Sequence, residues 1–355
     1  MGSEKDEGNM MILAKAEGRS GGGYGLFKTS ERGQGRGKEV PERVDVYELV
    51  TARILEKLEA GTVPWQTSSI ARVGLPRNFS TGKTYSGINV FLLASLEFQS
   101  PYFMTYRQAE ELGGHVRKGE KGFPIIKMGV WEKDRGDGQT TSEGEPGTDK
   151  RKFLRCYTVF NSSQIEGLQF PEPEKCDTYS ASEQAEAARL IVDGMPRPPT
   201  FFEGRKATPH YLPDSDTVEM PSRETFRAEW RFYKTLFHEL AHATGHASRL
   251  NRRTLVENRG MFAPGAEGRK IYCEEELAAE MTAAFLGSHA GIIEDGFENS
   301  AAYLKGWMEV LNVKDHKTWL IRAASEAQKA ADYVLGASPS DPKRFENGSP
   351  AGEEK

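Results

Sequence analysis

The sequence predicts an α+β protein of two domains, a small α+β domain followed by a mainly helical domain with a short β-sheet. Three observations predict it. Short apolar runs bounded by Gly, Pro and Asn alternate with amphipathic stretches over the first half, whereas helical periodicity dominates the second. Pro171-Glu172-Pro173-Glu174 interrupts both patterns and marks a linker. His238-Glu239-Leu240-Ala241-His242 lies in a run whose aromatic and aliphatic residues recur at helical spacing. The boundaries expected are a Gly-rich leader over 1–42, a first domain over 43–170, a linker over 171–180, a second domain over 181–335 and a tail over 336–355. Leader and tail lack periodicity and are rich in Gly, Ser and charge, a composition that does not bury enough apolar surface to fold.

The first domain opens with an amphipathic helix over 46–58, stopped at Gly61 and followed by Pro64-Trp65. A loop through Asn78-Phe79-Ser80-Thr81-Gly82-Lys83-Thr84-Tyr85 leads to a helix over 87–98. Tyr102 to Met104 reads as a strand, and Thr105 as the cap of a short helix ending at Gly113-Gly114. Strand composition over 123–133 and 152–160 flanks a polar insertion, 134–150, expected to be a hairpin loop. The second domain opens with a helix over 182–193. A Pro-rich passage follows, then strands over 206–212 and 217–220 turned at Asp214-Ser215-Asp216. After the His238 segment come a Glu-rich helix around 274–286 and closing helices over 298–311 and 315–334.

Phe226, Trp230, Tyr233, Phe237, Leu240 and Ala241 form one buried stripe, with Ser222 as the expected N-cap and Gly245 as the stop. His238 and His242 then share one face a turn apart and can bind a single Zn²⁺, with Glu239 beside the metal to act on its water. The competing reading is a helix whose histidines merely make hydrogen bonds at a polar face. His246 continues the series, but three histidines in line on a straight helix do not converge on one ion. The metzincin pattern requires a later His where this chain has Ser248, so that pattern fails.

Glu274-Glu275-Glu276-Leu277-Ala278-Ala279-Glu280 supplies the remaining acidic candidates, with Glu276 and Glu280 a turn apart on one flank. This resembles the thermolysin-like (gluzincin) arrangement. The resemblance implies Glu276 as third metal ligand and Glu280 as the carboxylate that holds a ligating histidine from behind. Glu280 and then Glu275 stand behind Glu276 as alternatives for the ligand, and a plain solvated acidic face is the competing reading. Tyr211, Tyr233 and His210 are candidate donors to an oxyanion.

At 355 residues the chain is long enough for two cores, and its net charge of −5 excludes a polycation of the histone kind. A mean hydropathy of −0.61 and the lack of a long apolar run argue against a membrane span or signal peptide. The three cysteines, Cys156, Cys176 and Cys273, lack CxxC spacing, which suggests a reducing cytoplasm and neither a disulfide scaffold nor a thiolate metal site. Between Arg72 and Lys127, eight basic residues stand against four acidic ones, interleaved with aromatics. Single-stranded nucleic acid requires that combination, because phosphates need charge and unstacked bases need π faces. Arg77, Lys83, Arg107, Lys118 and Lys121 are the candidate phosphate contacts, and Trp65, Phe79 and Tyr85 the candidate stacking platforms. Gly82-Lys83-Thr84 is not a Walker A motif, since Arg77 stands where its first Gly belongs. His115 has no acidic or Cys neighbour in sequence and reads as structural.

Taken in order, Val63-Pro64-Trp65, Asn78, Thr81-Gly82-Lys83-Thr84-Tyr85-Ser86-Gly87-Ile88-Asn89, Tyr106-Arg107-Gln108-Ala109 and Val159-Phe160-Asn161 resemble the ArdC-type antirestriction family. So do His238-Glu239-Leu240-Ala241-His242-Ala243-Thr244-Gly245-His246 with Arg249-Leu250, and Glu275-Glu276-Leu277-Ala278-Ala279-Glu280. The same block is found at the N-terminal region of plasmid TraC-like primases. The resemblance covers roughly Arg43 to Leu335. It implies a single-stranded-DNA-binding domain joined to a zincin-like metallopeptidase that helps incoming mobile-element DNA evade host restriction. The expected cofactor is Zn²⁺ with Mn²⁺ as the alternative. The expected partners are single-stranded DNA and a protein substrate, host restriction-system subunits being candidates, with no membrane. The rival is a DNA-coating protein with a structural metal and no proteolysis. A decoy that mimics DNA would require an acidic surface, against which the basic patch argues.

Overall fold

The computed structural model describes residues 45–60, 63–65, 69–134, 148–172, 179–256, 266–292 and 318–337. The expected leader, most of the linker, residues 135–147 of the expected insertion, the 298–311 helix and the tail beyond 337 lie outside them, while 148–150, expected as loop, are strand.

In the first half, α1 (Val46–Glu59) starts where Asp45 accepts a hydrogen bond from the Tyr47 amide at 2.9 Å, which satisfies an otherwise orphaned donor. Its inner face buries Val50 and Ile54. The short α2 (Ser69–Val73) and β1 (Arg77–Asn78) lead to α3 (Ile88–Ala94), Ile-Asn-Val-Phe-Leu-Leu-Ala, which is apolar all round and therefore buried. Its single polar residue has a specific task. The Asn89 amide donates to Ile126 O and accepts from Ile126 N, both at 2.8 Å, and so acts as a one-residue strand partner. Next come β2 (Tyr102–Met104), α4 (Tyr106–Glu111), β3 (His115–Val116), β4 (Phe123–Asp134), β5 (Thr148–Asn161) and β6 (Ile165–Glu166). Thr105 caps α4 as expected, in a reciprocal box with Gln108. The main sheet has the order β1-β2-β5-β4, parallel between β1 and β2 and antiparallel elsewhere, while β3 and β6 pair separately.

In the second half, α5 (Ala181–Asp193) begins at a Ser180–Glu183 capping box. The strands β7 (Thr200–Glu203), β8 (His210–Leu212) and β9 (Thr217–Met220) form a sheet of order β7-β9-β8, with β7 parallel to β9. The parallel strand β7 is not foreseen in the Pro-rich passage, because its partner is remote and no turn signal announces it. The strand expected over 206–212 shortens to β8, since Pro209 cannot donate to a ladder. The helix expected from Ser222 instead starts later, as α6 (Glu229–Thr244), after a single 3₁₀ turn over Arg223–Thr225. Arg223 is held by Glu203 of β7 at 3.0 Å, and Phe226 is extended, so the chain bends before the helix proper. Then follow α7 (Arg253–Val256), α8 (Ala266–His289) and α9 (Trp319–Val334).

One apolar core runs through both halves. Phe91 of α3 lies against Phe285 of α8 with ring centroids 4.7 Å apart, and both are essentially fully buried. Val50, Trp65 and Ile126 belong to the same cluster as Phe237, Leu277 and Leu320. Gly87, at φ +57°, donates its amide to Gln328 of α9 at 3.2 Å, which docks the start of α3 on the second half. No helix among the described residues is long and apolar enough to cross a membrane.

Candidate metal centre

Burial of Phe232, Leu236, Phe237, Leu240 and Ala243 fixes the rotation of α6 and turns His238, Glu239 and His242 toward a cavity of about 160 Å³. By comparison with known cavities this has room for one benzene-sized group. Across it stands α8, held by buried Leu277, Met281 and Phe285. Its three consecutive glutamates point in three directions, because successive helix positions are about 100° apart. Glu274 pairs with Arg322 of α9, its Oε2 accepting from Nη2 at 2.7 Å. Glu275, at the cavity wall, turns to Arg252 and His242, and Glu276 faces the Nε2 atoms of His238 and His242.

His238 Nε2, His242 Nε2 and one Glu276 oxygen form a cluster whose ligand atoms all lie within 4.8 Å of one another. The imidazole Nε2 atoms are 3.1 Å apart, and the carboxylate meets each ring with a different oxygen, Oε2 3.4 Å from His238 and Oε1 3.5 Å from His242. Nitrogen and oxygen ligands about 2.0–2.2 Å from a tetrahedral ion stand about 3.3–3.6 Å apart, so the three donors form one face of such a site. The donor set fits a divalent cation.

Electrostatics favour the same ion. At His238 burial alone would lower the pKa. The hydrogen bond to Glu276 and the charges of Glu280, Glu276 and Glu239 outweigh it and push the pKa up to about 9. Burial would raise Glu276, but the two imidazoles and the Tyr272 hydroxyl hold its carboxyl below the usual range. The surplus of carboxylate around two imidazoles is a cation trap. Glu280 Oε1 stands 3.6 Å from His238 Nδ1, behind the ring and outside hydrogen-bond range.

His242 is held more firmly. Its Nδ1 lies 3.1 Å from Glu275 Oε1. Arg252 bonds both Glu275 oxygens, at 2.5 and 2.8 Å, and Thr254 bonds one at 2.5 Å. Despite burial, the Arg252 guanidinium keeps the Glu275 carboxyl far below the ordinary range. An ionised Glu275 only accepts, so the His242 proton resides on Nδ1 and the Nε2 lone pair faces the cavity. Arg252 also bonds Ala241 O and the Thr244 hydroxyl, so one buried cation both closes α6 and orients the histidine.

Glu239 differs from the other buried glutamates. It is 6 % exposed, lines the cavity, and its carboxylate has no hydrogen bond or ion pair among the described residues. His246 faces away, with Nδ1 2.8 Å from the Ser248 hydroxyl. Of the donors considered from sequence, Tyr211 gives its hydroxyl to Asp216 at 2.9 Å, and Tyr233 is bonded to Arg223. His210 is within 3.0 Å of Thr208 O through Nδ1 and 3.1 Å of Glu219 through Nε2. None of the three is free to turn inward. Tyr272, which lines the cavity and bonds Glu276, escapes the sequence reading. Its spacing one turn before Glu276 and two before Glu280 is the available signal.

Comparison with known proteins matches the same two halves. Residues 44–160 match the N-terminal domain of the anti-restriction factor ArdC, and residues 200–326 match a zincin-like metallopeptidase. The crystal structure of the antirestriction protein ArdC from plasmid R388, metal-free, superposes with a TM-score of 0.62 at 36 % identity, over 82 % of this chain and 96 % of that one. The chain belongs to the ArdC antirestriction family. The Mn(II)-bound form of that relative superposes with a TM-score of 0.60. The DNA primase TraC of Escherichia coli is 36 % identical over 313 residues, 84 % of this chain but 20 % of the primase. The chain thus spans about a fifth of that curated relative. The uncharacterized protein y4eC of Sinorhizobium fredii is 31 % identical over 95 % of its length.

Within the ArdC-type N-terminal half, the structure corrects part of the expected DNA-contact set. Trp65 is 2 % exposed and packs edge-on to Phe91, centroids 6.2 Å apart, so it is a core residue and cannot stack a base. Phe79 is half-buried between Tyr102 and Phe170. Tyr85 is half-buried, accepts from Asn78 at 3.3 Å, and burial raises its phenol pKa. The Arg77 Nε is buried without a hydrogen-bond partner. Arg107 is exposed and pairs with Glu111 at 2.7 Å, a solvent-screened contact. Lys83, Lys118 and Lys121 are exposed and lack ion pairs among the described residues. The Asn78-to-Tyr85 loop is shaped by Asn78, whose Oδ1 accepts from the Thr81 amide and hydroxyl, and by Gly82 at φ +70°.

Proposed function

We propose that the protein is a cytoplasmic, single-stranded-DNA-binding antirestriction factor whose zincin-like half hydrolyses peptide bonds. His238, His242 and Glu276 would hold the metal, Zn²⁺ or Mn²⁺. The observation that carries the hydrolytic part is Glu239, a buried carboxylate with no hydrogen bond or ion pair among the described residues, beside a three-donor cluster. When bound, the cation supplies Lewis acidity that polarises a carbonyl and acidifies water. Glu239 accepts the proton of the attacking water and returns it to the leaving amine. Glu275 holds His242 in the tautomer that presents Nε2, and Glu280 does the same electrostatically for His238. Strand β8 is an edge strand and contributes His210 and Tyr211 to the cavity wall, which suits an extended peptide added along it. The small cavity admits one side chain beside the scissile bond. The protein substrate would be a component of the host restriction system, delivered by the DNA-binding half.

Glu239→Gln tests the proposal. Host restriction subunits incubated with the wild type and the variant are followed by mass spectrometry, alongside antirestriction in cells. The expected result is a loss of about a hundredfold or more in cleavage, with metal binding and Tm retained. Unchanged antirestriction in the variant would sink the peptidase reading and leave a DNA-coating protein with a structural metal.

A further inference from the structure

Strands β4 and β5 continue as a two-stranded arm beyond the main sheet. β2 pairs with β5 only at Phe103↔Asn161 and Met104↔Phe160, whereas β4 and β5 pair with each other from Phe123↔Val159 to Asp134↔Thr148. Alternation gives the arm two distinct sides. Ile126 and Leu154 lie on the side that joins the main core, and on the other side only the base of the arm, Phe123, Ile125 and Val159, packs on a second cluster with Leu93 and Phe103. The opposite side carries the cross-strand pairs Ile125↔Tyr157, Lys127↔Arg155 and Gly129↔Phe153.

That outer side has an unusual charge arrangement. Lys127 and Arg155 are directly opposite in register, both exposed, and neither has an ion-pair partner among the described residues. Like charges so placed destabilise an antiparallel pair, a cost that a bound anion reverses. Opposite Gly129 the Phe153 ring fills the space a side chain would take, its nearest atom 2.4 Å from where a Cβ would stand. The Arg155 guanidinium lies 4.9 Å from the centroid of that ring. Tyr157, two residues further, is 38 % exposed although it is a large apolar ring. Along one side of β5 the order is therefore aromatic, cation, aromatic, at intervals of about 6.7 Å.

We propose that single-stranded DNA binds along this outer side of the β4–β5 arm, with Lys127 and Arg155 on phosphates and Phe153 and Tyr157 on bases. The proposal rests on the single-strand-binding reading above and gives it a surface, one distinct from the Arg77-to-Lys121 set expected from sequence. Charge complementarity selects a polyanion, and the flanking rings select one with unstacked bases. In the same half Arg107 and Arg117 face glutamates, Glu111 and Glu120, whereas Lys127 and Arg155 face each other.

Fluorescence anisotropy of a labelled oligothymidine, titrated with the full chain over a salt series, tests it. Lys127→Gln/Arg155→Gln is expected to weaken binding about tenfold or more and to flatten the log–log salt slope by about 1.4, the loss of two phosphate contacts on a single strand. Tyr157→Ala is expected to weaken binding about fivefold or more with the slope retained. Lys127→Glu places an opposite charge beside Arg155, so it should raise Tm while weakening binding, a pairing of effects that a merely structural lysine does not produce. If the wild type binds with a salt slope and these variants bind equally well, the arm assignment is overturned while the single-strand reading stands. If the wild type shows no salt-dependent binding, that reading fails and the arm with it. Competition by duplex DNA as strong as by the single strand overturns the stacking role.

Discussion

Arg252→Met removes the guanidinium beneath the candidate metal site while keeping the length of the side chain. Arg252 and Glu275 are 3 % and 5 % exposed in their side chains and meet at 2.5 Å, so the substitution leaves a carboxylate buried and unpaired. Breaking a buried pair from one side costs about 3–5 kcal/mol. Loss of the bond to Ala241 O at 2.8 Å leaves that carbonyl with the Thr244 hydroxyl as its remaining donor, a smaller additional cost. At the low end of the thermal scaling for a chain of this size, the expected fall in Tm is about 6–10 °C by calorimetry. The pH dependence carries the signature. In the wild type Glu275 is depressed far below the ordinary carboxylate range, so its contribution is fully present above the unfolded value and survives ordinary acidity. Without Arg252, burial raises the same carboxyl above its unfolded value, and the variant's deficit should shrink as pH falls from 7 toward 5. Adding Glu275→Gln should restore part of the stability at neutral pH. Arg252→Met frees Glu275 behind His242, and the double variant replaces that acceptor by an amide, so metal affinity measured by calorimetric titration should drop about 10–100-fold in the double variant. A fall in Tm that is small and independent of pH, or a double variant no more stable than the single, would refute the reasoning.

Other outcomes follow from the same geometry. With the His238 pKa at about 9 in the metal-free protein, a cation must displace a proton at lower pH. Apparent metal affinity should therefore rise with pH, up to about tenfold per unit, and level off near 9; a flat calorimetric profile would contradict the carboxylate-rich setting. The same raised pKa means that in the metal-free protein His238 contributes stability below its unfolded value, and that this is lost as pH rises through about 9. Phe91→Ala opens a cavity in the core shared by both halves and should cost about 3–5 kcal/mol. Calorimetry should show both halves unfolding together in one lowered transition. A second transition unmoved by the substitution would show that the halves melt independently.

Much of the fold is legible in the amino-acid sequence wherever the determining forces are local. The Thr105 cap, the stop of α6 at Gly245 and the strand Tyr102–Met104 follow from capping and periodicity within a few residues. The start of α6 is not legible in that way, because the contact between Arg223 and Glu203 that bends the entry lies across the chain. β7 escapes for the same reason, its hydrogen bonds going to a remote parallel partner.

The candidate site shows the same division. The sequence by itself determined that His238, Glu239 and His242 share a helix face, since that is a property of helix geometry. It also offered the glutamates of α8 as candidates. Only the tertiary structure decided that Glu276 enters the cavity, Glu275 turns to Arg252 and Glu274 turns to Arg322, because the rotation of α8 is set by packing of Leu277, Met281 and Phe285. Trp65 makes the same point for the DNA-binding half. An aromatic ring that stacks bases and one that fills a core are the same residue in a sequence, and only the neighbours, here Phe91, distinguish them. Local propensity is written along the chain, whereas the free energy that chooses among equivalent side chains comes from contacts between segments far apart in it.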